Sequence, residues 1–201
     1  MEVPRSPDGP KGDAESLARS RLVHHLKSAW PGTTSGHTTR VELSHADQIA
    51  LQRAEGWLEL RRPLEASEEL DSIEPELRAH PAVLKLRYGI HVAAKQWDMA
   101  LQLADALARL LPADPFGATH KAIALHKLGR TAEAKRLSLE AVVQFPEAWP
   151  LTYNLACFCA ALGEIEEARA WLKRALDADG DELKLQALND PDLAPVWSAP
   201  V

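Results

Sequence analysis

Cysteine is scarce, with only Cys157 and Cys159 in 201 residues. Two positions apart on a helix, their side chains point roughly 200° apart, which argues against a bond between them. Both read as small apolar packing residues in a reducing compartment. No apolar run approaches the ~20 residues that span a bilayer, and Met1-Glu2-Val3-Pro4-Arg5 has no hydrophobic segment behind a basic one. A cytoplasmic protein without a membrane partner is expected. Basic residues are also in deficit, 23 against 29 acidic ones, for a net charge of -6. The excess gathers late: residues 177–192 hold Asp177, Asp179, Asp181, Glu182, Asp190 and Asp192 against Lys184. Nucleic-acid affinity draws on Lys and Arg neutralising phosphates, so this balance disfavours a nucleic-acid partner.

Motifs of chemistry are missing too. No His-x-x-x-His or Cys-x-x-Cys pair is present among the eight histidines and two cysteines, and His120 and His126, six apart, lie about 120° from each other on a helix. There is no Gly-rich phosphate loop and no Gly-x-Ser-x-Gly elbow. The expectation is no catalytic residue, no metal and no cofactor. Six tryptophans are present, and Trp57, Trp97 and Trp171 fall at helix positions that face neighbouring helices, where core packing accounts for them.

What the chain does have is a period. Ala66, Ala100, Ala134 and Ala168 are each 34 residues apart, and the same step carries Pro112 to Pro146, Gly129 to Gly163 and Ala141 to Ala175. It also carries Ala54 past Tyr88 to Ala122 and Ala156. Self-similarity at this interval is the signature of stacked helix-turn-helix units. The period divides the chain into units at 47–80, 81–114, 115–148 and 149–182, together a repeat domain over 46–182. In the third unit Pro115 opens the first helix, Gly129 supplies the turn, and Thr131 is placed to cap a second helix from Ala132 to Gln144, with Pro146 as the stop. Residues 1–45, rich in Pro, Gly, Ser and Thr, read as a tail without a packed core. Within it, Leu17, Leu22, Val23, Leu26 and Trp30 fall near one helical stripe between Ala14 and Trp30. Residues 183–201 read as a cap: Asn189 or Asp190 starts a final turn that points Leu193, Val196 and Trp197 back at the last unit.

These features resemble the tetratricopeptide repeat family over residues 47–182. The fourth unit matches best, through Tyr153-Asn154-Leu155-Ala156, Leu162-Gly163, Glu167-Ala168-Arg169-Ala170 and Ala175-Leu176. With Asp190-Pro191-Asp192-Leu193 it is similar to the terminal unit of uncharacterised bacterial repeat proteins. The first two units depart from the pattern, with Pro63 at a turn position, Tyr88 at a small-residue position and Lys95 where Gly is expected. The resemblance implies an all-α, right-handed superhelical solenoid of antiparallel helix pairs, without catalytic residues, whose first helices line a concave groove for an extended peptide or partner helix. By repeat position that groove presents Lys85 and Gly89 from the second unit, Thr119, His120, Ile123, His126 and Lys127 from the third, and Tyr153, Asn154 and Cys157 from the fourth. The Lys/Asn/Arg clamp by which some members hold a C-terminal carboxylate keeps only Lys85 and Asn154 here, with Gly89, His120 and Pro150 at its other positions. A monomeric, non-enzymatic adaptor for a protein or peptide is the reading these features favour. Two others stand behind it: end-to-end assembly into homo-oligomers, which the cap opposes, and RNA reading, which needs a basic groove and a 35-residue period.

Overall fold

The computed structural model describes residues 42–198. The tail up to residue 41, with its amphipathic stretch, lies outside the described residues. Among those described there is no strand, and the helices come in pairs: α1 (His45–Glu59) with α2 (Pro63–Asp71), α3 (Pro81–Ala93) with α4 (Trp97–Leu110), α5 (Pro115–Lys127) with α6 (Thr131–Gln144), and α7 (Trp149–Ala161) with α8 (Ile165–Leu188). Short 3-10 turns follow at Pro75–Leu77 and Pro191–Leu193, and α9 (Ala194–Ser198) ends the described chain. Each second helix packs on the first helix of the next unit, so the stack propagates through nearest neighbours.

Local sequence explains the starts. Pro63, Pro81 and Pro115 each open a helix, where the missing N–H is one of the orphan donors anyway. Asp114 accepts from the Phe116 N–H at 2.9 Å, and Ser44 with Asp47 forms a reciprocal capping box on α1. Thr131 does not act as the cap expected of it. Arg130 holds that position without a side-chain capping bond, and Thr131 is the first helical residue, its hydroxyl 3.0 Å from His126 Nδ1.

The ends of the first helices are more regular than their sequences. Arg61, Lys95, Gly129 and Gly163 all have positive φ, at 60°, 57°, 78° and 79°. These four positions are themselves 34 apart. In every unit the next residue's N–H reaches five residues back, Arg62 to Trp57 and Gln96 to His91 at 2.8 Å, Arg130 to Leu125 and Glu164 to Cys159 at 2.9 Å. This is the Schellman closure, which satisfies the last carbonyls of a helix and requires a left-handed residue. Two units meet that requirement with glycine and two impose it on a side chain that resists it.

The alanine ladder sits where the two helices of each unit touch. Ala66, Ala100, Ala134 and Ala168 are fully buried, as are Ala54, Ala122 and Ala156 on the partner helices. Tyr88 breaks the second series, and room for its ring comes from the neighbouring unit. It packs edge-on to Phe116 and His120, and its hydroxyl donates to the His120 carbonyl at 3.4 Å. At the same junction Gly117 lets α5 lie against α4; a Cβ there would sit 2.4 Å from the backbone of Ala108.

The last helix does not stop with its unit. α8 runs on to Leu188, and Asp190 then takes the N-cap of the 3-10 turn, accepting from Asp192 N at 3.0 Å. Leu193 and Val196 are buried against the last unit as expected. Trp197 covers less than its place in the pattern suggests: it stays 44% exposed, with its indole N–H donating to the Ala187 carbonyl at 3.2 Å.

Candidate partner-binding surface

First helices α1, α3, α5 and α7 lie side by side, and the ten groove positions belong to the last three. Burial divides those ten. Gly89, Thr119, His120, Tyr153 and Cys157 are buried and offer a partner little surface. Lys85, Ile123, His126 and Asn154 are half-buried, and Lys127 is exposed.

The second and third units form one knot of contacts. Lys85 Nζ binds Asp114 Oδ2 at 2.7 Å while lying 4.6 Å from the centre of the Phe116 ring. That ring stacks on His120 at 3.8 Å between centroids, and His120 Nδ1 donates to the Phe116 carbonyl at 2.8 Å. His120 is thus packing material for the intruding Tyr88. Burial pushes the Tyr88 hydroxyl far above its ordinary range, so it stays protonated and serves as a donor.

In the fourth unit the first helix is already covered in part by the chain itself. Tyr153 donates its hydroxyl to Asp190 Oδ2 at 2.7 Å, and the Cys157 thiol points at the same oxygen from 3.7 Å. Two residues on, Asp192 accepts from Lys127 Nζ at 3.2 Å and lies 3.9 Å from His126 Nε2. The Asp190-Pro191-Asp192 turn therefore ties α7 and the end of α5 together. Burial, then the neighbouring Lys127, holds His126 below the usual imidazole range, while Asp192 and Asp190 pull it the other way. Asn154 places its Nδ2 out of solvent with no acceptor in reach among the described residues.

Sequence reasoning recognised Asp190 as a cap and missed it as a ligand. The signal lies in Tyr153 and Asp190 together, 37 positions apart, where the 34-residue step does not lead.

One further cluster has the makings of a cation site. Donor atoms of Cys159, Glu164 and Glu167 all lie within 4.8 Å of one another. The cation they hold is the Lys135 ammonium, 2.7 Å from Glu164 and 2.6 Å from Glu167. Desolvation pushes the Cys159 thiol up to about 12, and the Lys135 bond holds Glu167 below the usual carboxylate range. The cluster is a bridge from α6 to the start of α8.

These features define a class: a helical-repeat solenoid of antiparallel helix pairs, each packed on the next. Within that class, residues 125–189 match the model of the tetratricopeptide repeat family, and the fold is a tetratricopeptide-repeat array. No curated protein matches the sequence. Among solved structures, "MamA MSR-1" aligns with a TM-score of 0.53 at 19% identity, over 83% of this chain and 90% of that one. "MamA AMB-1" aligns with a TM-score of 0.51 at 21% identity, over 86% and 90%. At that identity the likeness carries the fold alone. Repeats of this kind point to protein–protein interaction or scaffolding. No described helix is long and apolar enough to cross a membrane.

Proposed function

We infer that this chain is a non-enzymatic protein-interaction module whose inner face takes an extended peptide or partner helix carrying carboxylates. The observation that supports this best is the chain's own acidic turn. Asp190 and Asp192 lie against first-helix residues Tyr153, Cys157, His126 and Lys127, an example of how this surface holds an acidic segment. The buried groove positions support such a ligand from beneath, and Lys85, Ile123 and Lys127 meet it. Because the turn covers the fourth unit, a partner lies along the second and third, beside it.

Panning a peptide library against the whole protein tests the reading. Acidic peptides should emerge, and their affinity should fall at least tenfold in Lys85→Gln with Ile123→Ser, helicity being unchanged. Val143→Asp, on the second helix α6 where the side chain is 83% exposed, should leave it unaltered. An empty selection, or affinity that follows Val143, rejects the inner face.

A further inference from the structure

Two lysines among the groove positions already hold a carboxylate of their own chain, and the two pairs are built differently. Lys85 and Asp114 form a fixed pair. The Lys85 side chain is 13% exposed and lies over the Phe116 ring, and the second oxygen of Asp114 caps α5 through the Phe116 N–H. Lys127 and Asp192 form an open pair. Their side chains are 37% and 35% exposed and lie 3.2 Å apart, with His126 Nε2 3.9 Å from the same Asp192 oxygen. Ion pairs between groups this accessible contribute little to stability, because water solvates each charge nearly as well.

The turn that presents Asp192 is held by other groups. Asp190 is buried, accepts the Tyr153 hydroxyl at 2.7 Å and caps the Asp192 N–H at 3.0 Å, and Leu193 and Val196 fix the following residues in the core. Asp192 is thus a carboxylate on a rigid arm, set against a lysine by a contact that is easily exchanged. A partner carboxylate arriving along the second and third units meets Lys127 already neutralised. We propose that Asp192 is a built-in competitor at Lys127, neutralising the lysine until a carboxylate of an acidic peptide replaces it; this rests on the reading of the inner face as a seat for acidic segments. The device makes the surface selective. A lone carboxylate gains nothing at Lys127, since one ion pair is exchanged for another, and only a segment that makes further contacts beside it is retained.

Titrating the isotope-labelled whole protein with N-acetyl-hexaglutamate, followed by NMR, tests the exchange. Asp192→Asn should raise affinity for the peptide about threefold, with the shifts centred on Lys127. Adding Lys127→Gln to Asp192→Asn should remove the gain. Asp177→Asn makes the same change of net charge at a 66% exposed side chain on α8, paired with Lys173, and should leave affinity at the wild-type value. Circular dichroism checks that every variant keeps its helicity. An Asp192→Asn protein that takes the peptide no better than the wild type overturns the competitor. So does a gain that Asp177→Asn reproduces, or one that persists without Lys127. Failure of the broader reading looks different. A library selection without acidic peptides, or with peptides indifferent to Lys85 and Ile123, rejects the inner face as the partner's seat, while a gain at Lys127 in the same protein upholds the exchange.

Discussion

The two halves of this solenoid have the same backbone at their turns and different residues supplying it. In units three and four the left-handed position is Gly129 and Gly163; in units one and two it is Arg61 and Lys95. The latter half keeps alanine at 122 and 156, and the former carries Tyr88 in that series. The family model matches only residues 125–189, yet the Schellman closure is present in all four units. Repeat geometry is thus fixed by the backbone bonds and the buried alanines at the helix crossings. Individual consensus residues make that geometry cheaper to reach without being its sole source.

The most damaging way to break the comparison is to separate the halves. Gly117→Val drives a side chain into Ala108 at the junction of α4 and α5, and it should cost about 3 kcal/mol of stability, measured by urea denaturation. Next comes the acidic turn, which only the latter half has. Asp190→Ala removes the 2.7 Å acceptor of the Tyr153 hydroxyl and the cap on Asp192, with an expected loss of about 2 kcal/mol. Exchange should increase around α7 and leave α1 to α3 unchanged; an even loss across the chain contradicts a local lock. The turns then provide a matched pair. Lys95→Gly should stabilise by about 1 kcal/mol, and Gly129→Ala should destabilise by a similar amount, because the same left-handed residue is relieved in one and strained in the other. Thermal melts of both variants check this, and equal signs would show that the turn strain is taken up elsewhere.

Acid should act on both halves through their bridges. Lys121 lowers the Asp105 carboxyl, between the second and third units, and Lys135 lowers that of Glu167, between the third and fourth. A carboxyl depressed in the folded state contributes stability above its unfolded value, lost as pH falls toward the folded one. The midpoint of urea unfolding should therefore decline below about pH 4. Lys135→Met should flatten part of that decline, and this smallest effect is read from the slope because Glu167 is partly exposed.

Much of the fold was legible because its causes are local and periodic. Alanine spacing marks the helix crossings, prolines the starts and Gly129 and Gly163 two of the turns. Arg61 gave no such sign and Lys95 gave one only by standing where the repeat expects Gly, since neither residue type prefers a left-handed backbone and only the packing of the pair imposes it. Thr131 misled for a related reason: its hydroxyl had a competing partner in His126, on the preceding helix. The inner surface was harder still. Burial of His120 follows from Phe116 on its own helix and from Tyr88 across a unit boundary, and the cover over Tyr153 and Cys157 comes from a segment outside the period.

The ladder of left-handed residues makes the chain modular in its grammar. Since each unit closes on itself and touches only its neighbours, residues 115–148 form a sentence that can be said twice. A copy spliced in after 148 would meet α7 as its original does, and on its other side would lie against α6 of that original. The protein could then be lengthened 34 residues at a time, leaving its capped end untouched and extending the inner face by one first helix with every insertion.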